Sequence, residues 1–165
     1  MSLILTTLLH LSNFNKATCT FRDTIVNKGY AVSKEGCNSY LPRILFFSKL
    51  YNLPSDLIIA KVIVESGFKD NITSKEGASG LMQTTDIARR DIASLIPAND
   101  SGGLLGGMLY LKKLLNKYKN EDLALAAYNA GQGKVHKYQG IPPFKETKDH
   151  IRKIKEVRKL IKVFI

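Results

Sequence analysis

The chain has 165 residues and a formal net charge of +11, with 25 Lys and Arg against 14 Asp and Glu. That length sets one domain able to bury its own core without a metal or a disulfide framework. The charge suits polyanions of any kind, whether nucleic acid, anionic lipid or an acidic bacterial wall, but with no Trp and few aromatic residues set among the basic ones the stacking platforms for single-stranded nucleic acid are missing.

In chain order, residues 1–18 open with Met-Ser-Leu-Ile-Leu-Thr-Thr-Leu-Leu-His-Leu, too short to span a bilayer as a helix. The stretch has the apolar centre of an export signal without basic residues before Lys16, and we read it as an imperfect export segment rather than a core helix. Cys19 and Cys37, the two cysteines, form either a disulfide contributing about 3 kcal/mol or a pair of buried thiols. Thr20 to Ala31 reads as a short strand pair or an irregular arm, so residues 1–39 are expected to form a less regular N-terminal region and 40–165 the domain proper.

Leu41, Ile44, Leu45, Phe47 and Leu50 recur at helical spacing and predict a helix over 40–51 closed by Pro54. Pro54-Ser55-Asp56 then starts a second helix whose Leu57, Ile58, Val62, Ile63 and Val64 make an almost continuous apolar wall, with Gly67 as its stop. Glu65 lies on the face of Ile58 and Val62 near the end of this helix. A carboxylate there is either a solvated helix-end group or an acid at the edge of an apolar surface. In the second case burial raises its pKa and makes it a general acid.

Further helices are predicted from Thr85 or Asp86, with Asp86 as N-cap, to Ile96 before Pro97, and then after a turn at 99–103. Leu104 to Tyr118 carries the wide apolar stripe Leu105, Met108, Leu109, Leu111, Leu114 and Leu115. Asp122 to Asn129 is Ala-rich and stops at Gly131, its small residues permitting close helix approach. The last helix, 147–162, sets Ile151, Ile154, Val157, Leu160 and Ile161 against Arg152, Lys153, Lys155, Arg158, Lys159 and Lys162. A closing helix of a bundle explains this pattern, and a helix lying on an anionic membrane is the second reading.

Three blocks carry a resemblance: Glu65-Ser66-Gly67-Phe68; Ser74 with Gly77-Ala78-Ser79-Gly80-Leu81-Met82-Gln83; and Ala126-Ala127-Tyr128-Asn129-Ala130-Gly131, followed by Ile141-Pro142-Pro143-Phe144-Lys145-Glu146-Thr147. Together they resemble the catalytic domain of lytic transglycosylases of the soluble (Slt) type over about residues 40–157. The resemblance implies a mainly α, lysozyme-like single-domain helical bundle around a glycan-binding groove. It also implies cleavage of the β-1,4 bond between N-acetylmuramic acid and N-acetylglucosamine without water, to leave 1,6-anhydromuramic ends. Glu65 would be the single acid and then base, with no metal and no cofactor. Asp70, Glu76 and Asp86, the other candidate carboxylates, sit in polar stretches that read as solvated loops or caps.

The same resemblance places Ser74, Gly80, Gln83, Tyr128, Asn129 and His150 around the substrate. Each has a plainer reading: Ser74 as a turn former, Gly80 as a left-handed turn, and Tyr128 as a buried ring with a satisfied hydroxyl. Gln83 offers an amide that both donates and accepts. Two positions depart from the family pattern. Thr84-Thr85-Asp86 replaces an apolar pair and Pro, and His150 stands where the family has a Tyr that bonds the catalytic Glu. A neutral imidazole can donate that bond, whereas a protonated one would place a cation beside the acid and lower its pKa. The alternative reading of His150 is a helix-face residue turned away from the groove.

The implied partner is the glycan strand of peptidoglycan, with no nucleic acid, and with the anionic membrane surface or an envelope-spanning assembly as a further candidate. A monomer in the bacterial envelope, in the periplasm, follows. The alternatives are a goose-type lysozyme, which hydrolyses the same bond, and a non-enzymatic basic module indifferent to Glu65.

Overall fold

The computed structural model describes residues 18–95, 100 and 103–165. All but the last residue of the expected export segment, the stop at Pro97 and most of the 99–103 turn lie outside those residues. The fold is mainly helical: α1 (Arg22–Val26), α2 (Lys34–Leu50), α3 (Ser55–Ser66), α4 (Asp86–Asp91), a 3-10 turn (Ala93–Leu95), α5 (Leu104–Tyr118), α6 (Glu121–Ala130), α7 (Gln132–Lys137) and α8 (Lys145–Ile161). Between α3 and α4 the chain makes only isolated antiparallel bridges, Thr73 with Ser79 and Ser79 with Thr84.

Helix α3 is the axis of the bundle. Leu57, Ile58, Ile59, Ala60 and Val62 are wholly buried, as expected of a helix that is apolar on nearly every side; each large aliphatic side chain among them contributes about 1.5–3 kcal/mol by leaving water. Its chief neighbour is α8. There Thr147, His150, Ile151, Ile154, Val157 and Ile161 form the inward face, three and four residues apart as a 3.6-residue period requires, while Lys148, Lys153 and Lys159 stay exposed. Helix α6 buries Ala124, Leu125, Ala126 and Ala127 against α5 and α8. Arg158 of α8 clamps both edges, bonding Asp56 of α3 and both carboxylate oxygens of Glu121 of α6 at 2.8 and 2.7 Å.

Three expectations change at the N-terminal side. The segment expected as a strand pair or irregular arm contains the short helix α1, with Phe21 and Ile25 fully in the core. Helix α2 begins at Lys34 rather than Tyr40, because the Ser33 hydroxyl accepts from the Gly36 amide at 3.1 Å and caps it. The expected division at residue 39 therefore falls inside a helix. Cys19 and Cys37 are joined, with Cα atoms 5.9 Å apart, and tie the segment before α1 to α2. At α4 the cap is Thr85, whose hydroxyl accepts from the Ala88 amide, not Asp86, and the helix ends at Asp91.

Candidate active site

The site is built on the last turn of α3. Gly67 ends that helix at φ 58°, and a Cβ there would lie 2.3 Å from the Ala31 carbonyl oxygen, so both the backbone and the close approach call for glycine. The Ser66 hydroxyl donates to the Leu81 carbonyl at 2.8 Å, which fastens the returning loop to the helix end. Glu65 is left facing the edge of the core with its side chain 15% exposed.

Two donors meet one of its oxygens. Lys61, one turn earlier and wholly buried, donates from Nζ to Glu65 Oε1. His150 of α8 places Nε2 3.0 Å from the same oxygen. Because a carboxylate only accepts, Nε2 carries the hydrogen of this bond, and the buried Nδ1 has no hydrogen-bond partner among the described residues. Lys61 Nζ also lies 3.5 Å from the centre of the Tyr128 ring, a cation–π contact shielded from water. Tyr128 is fixed in turn, its hydroxyl donating to the Met82 carbonyl at 3.0 Å and lying 3.3 Å from Thr84 Oγ1.

This cluster corrects the expected electrostatics of Glu65. Burial by itself pushes the carboxyl up, as anticipated, but the Lys61 charge and the His150 hydrogen bond more than offset it and hold Glu65 at about 2. In the free protein it is therefore an anion. Lys61 moves the other way from its usual charged preference: complete burial lowers its pKa despite the neighbouring carboxylate. Burial also raises the Tyr128 hydroxyl, with the Glu65 charge adding to it, so the ring stays neutral.

An open groove of about 780 Å³ adjoins the cluster, its wall including Gln83, Thr85, Arg90, Tyr110, Tyr128 and Asn129. Tyr128 belongs to both groove and cluster, whereas Glu65 is not part of this groove's wall. Gln83 and Asn129 face the groove but are partly engaged: Gln83 Nε2 donates to the Ile72 and Gly80 carbonyls at 3.2 and 2.9 Å, and Asn129 Oδ1 accepts from Thr147 Oγ1 at 2.7 Å. Gly80 is buried in the turn that shapes this loop, at φ 79°. Ser74 Oγ accepts from the Glu76 and Ala78 amides, as a turn former does. Of the departing residues, Thr84 is buried against Tyr128 and only Thr85 opens onto the groove.

The other candidate carboxylates are engaged elsewhere. Asp70 accepts from the Tyr40 hydroxyl, Asp86 pairs with Arg89 at 2.9 Å, and Glu76 is exposed on its loop. The residue that sequence reasoning passed over is Lys61. Its signal was present as one cation inside the run Ile58-Ile59-Ala60-Lys61-Val62-Ile63-Val64, four residues before the acid. Arg89 was also missed: its guanidinium bonds the Ser79 hydroxyl and the Thr84 carbonyl, at 2.5 and 2.6 Å, and braces the loop that holds Gln83.

The mainly helical bundle has a lysozyme-like arrangement. Its fold is similar to that of an inactive Glu-to-Gln variant of lytic transglycosylase Slt from Pseudomonas aeruginosa, with a TM-score of 0.62 and 24% identity over 73% of this chain and 23% of that one. A protein described as a transglycosylase from Enterobacteria phage PRD1 is 29% identical over 89 residues, 54% of this chain and 34% of the phage protein. The profile of the transglycosylase SLT domain matches residues 44–151, more than half of the sequence, and the chain belongs to that family.

Proposed function

We propose that the protein is a peptidoglycan lytic transglycosylase that uses Glu65 first as acid and then as base. The observation that carries this reading is the single carboxylate at the end of α3, held by Lys61 and His150 beside a groove that Tyr128, Asn129 and Gln83 help to line. In the first step the Glu65 carboxyl gives its proton to the glycosidic oxygen, the bond from the muramic C1 breaks, and the sugar's acetamido oxygen closes on C1. In the second the Glu65 carboxylate takes the proton of the 6-hydroxyl, whose oxygen replaces the acetamido oxygen at C1. A 1,6-anhydro end forms and no water is consumed.

One carboxylate suffices because the substrate supplies both nucleophiles, which agrees with the engagement of Asp70 and Asp86 away from the cluster. The low pKa of Glu65 in the free site favours the base half, so the proton for the acid half has to reach Glu65 once the glycan is in place. We place the protein in the bacterial envelope, as a monomer acting on glycan strands, and the Cys19–Cys37 disulfide supports an oxidising compartment. The basic face of α8 suits the acidic wall or an anionic membrane surface.

The test is Glu65→Gln assayed on purified sacculi. The amide keeps shape but carries no transferable proton, so muropeptide release is expected to fall by about two orders of magnitude or more while binding to sacculi persists. Release at the parent rate would refute the assignment.

A further inference from the structure

Lys61 is the unabsorbed feature of the molecule. A lysine side chain is almost never wholly buried unless paired, and here its ionic partner among the described residues is Glu65, with the Tyr128 ring face on another side. The groups facing this pair are Glu65 on α3 itself, Tyr128 from α6 and His150 from α8, with Arg89 of α4 beyond the Tyr128 hydroxyl near the Thr84 carbonyl. Both donors converge on Oε1. Oε2 has no partner among the described residues, and it is the oxygen left for a ligand.

Glu65 also retains some contact with water, its side chain being 15% exposed, and that contact adds to the mutual attraction that keeps the pair charged. A glycan strand laid over the carboxylate removes that water, and a neutral amine beside a neutral acid then costs less than two desolvated charges. Accepting the role of Glu65 given above, we propose that Lys61 is the proton store of the site: a positioning residue that holds, in the free protein, the proton Glu65 later delivers, and hands it across their hydrogen bond when glycan covers the pair. The Lys61 Nζ–H bond breaks as a Glu65 O–H bond forms, and the pair's net charge stays at zero. Rotation about the terminal torsion of Glu65, which is soft and two-fold, turns the protonated oxygen to the glycosidic oxygen and gives the other to Lys61 and His150. The proton taken from the 6-hydroxyl in the second step returns to Lys61 when product leaves, so each turnover restores the starting pair.

The proposal predicts where activity depends on pH. In the parent the active form is the pair with one proton, and that form is lost on the alkaline side only when the buried ammonium itself titrates. Without Lys61 the proton must sit on Glu65 unaided, and activity is lost as that carboxyl ionises.

The test is the pH profile of kcat/KM on soluble glycan strands for the parent and Lys61→Met, which fills the space of the apolar stem. The alkaline limb of Lys61→Met is expected to move down by at least about one pH unit. At neutrality kcat falls about tenfold or more with KM little changed, and activity near pH 5 stays within about tenfold of the parent. Superimposed profiles, or a loss equal at every pH, would overturn the proposal. A second measurement needs neither turnover nor a stable variant: carboxyl carbon NMR of the free parent, with Glu65 identified by its absence in Glu65→Gln. Its signal is expected to remain that of an anion at about pH 4 and to show a second step at alkaline pH as Lys61 loses its proton. An ordinary single titration with no alkaline step overturns the proposal even if Lys61→Met fails to fold. Full activity of Glu65→Gln would instead reject the functional reading, which separates the two failures.

Discussion

Replacing Gly36 with Ala probes how tightly the turn after Glu65 is packed. Gly36 lies in the first turn of α2, and a Cβ there would stand 2.0 Å from the Phe68 carbonyl oxygen and 3.2 Å from the Phe68 Cβ. Ordinary contact requires the two backbones to part by about 1 Å, and overpacking of this kind costs about 1–3 kcal/mol, the upper end when the obstacle is backbone rather than a pliable side chain. Ala returns up to about 1 kcal/mol through its better helix propensity. The net is about 2 kcal/mol of destabilisation, equivalent to a fall in Tm of roughly 4–8 °C for a chain of this size. Phe68 follows Glu65-Ser66-Gly67 directly, so the same displacement reaches the acid, and misplacement on this scale is expected to reduce turnover at least about tenfold. Thermal unfolding by circular dichroism and release of muropeptides from sacculi read the two effects. A variant with the parent's Tm and full activity would refute the claim that α2 and the turn after Glu65 are in backbone contact.

Other expectations follow from the same geometry. Reducing Cys19–Cys37, or replacing both with Ala, removes a cross-link across a separation of 18 residues and should lower stability by about 3 kcal/mol; an unchanged denaturant midpoint would contradict it. His150→Phe takes one donor from Glu65 and should raise that carboxyl's pKa by about one unit, as loss of a charge-assisted hydrogen bond implies, whereas His150→Tyr keeps a donor and should extend activity to lower pH. Superimposed acid limbs of kcat/KM for parent and His150→Tyr would show that His150 is not coupled to Glu65. Since Glu65 is held at about 2 against a usual 4.5, its contribution to stability is complete above about 4.5 and is lost as pH falls towards 2. The stability difference between parent and Glu65→Gln should therefore shrink by on the order of 2 kcal/mol across that window, and a difference flat in pH would argue against the Lys61–Glu65 pair.

Much of the bundle was legible because α3, α5 and α8 announce themselves by apolar residues three and four apart, a local property of the sequence. The N-terminal side was not, because Phe21 and Ile25 are buried where α1 meets the distant α8, and because the first turns of α2, Lys34-Glu35-Gly36-Cys37-Asn38-Ser39, lack the apolar repeat that marks the rest of that helix. In the site, Glu65 and His150 were named from motif resemblance, and the structure sets them 3.0 Å apart although 85 residues separate them. The sign of the Glu65 shift was misread for a physical reason. Burial was visible in the apolar run, but whether the buried carboxyl keeps its proton depends on which charges share the cavity, and Lys61, inside that run, was passed over. Its position four residues before Glu65 places the two side chains together on one face, which is the reading the spacing offered and the apolar neighbours obscured.

The most direct test of the whole account is the mass of the products released from purified sacculi. A lytic transglycosylase acting through Glu65 gives muropeptides with 1,6-anhydromuramic ends, each lighter by one water than its hydrolysed counterpart, from the parent and not from Glu65→Gln. Products with hydrated, reducing muramic ends, or anhydro products formed equally by Glu65→Gln, would contradict it.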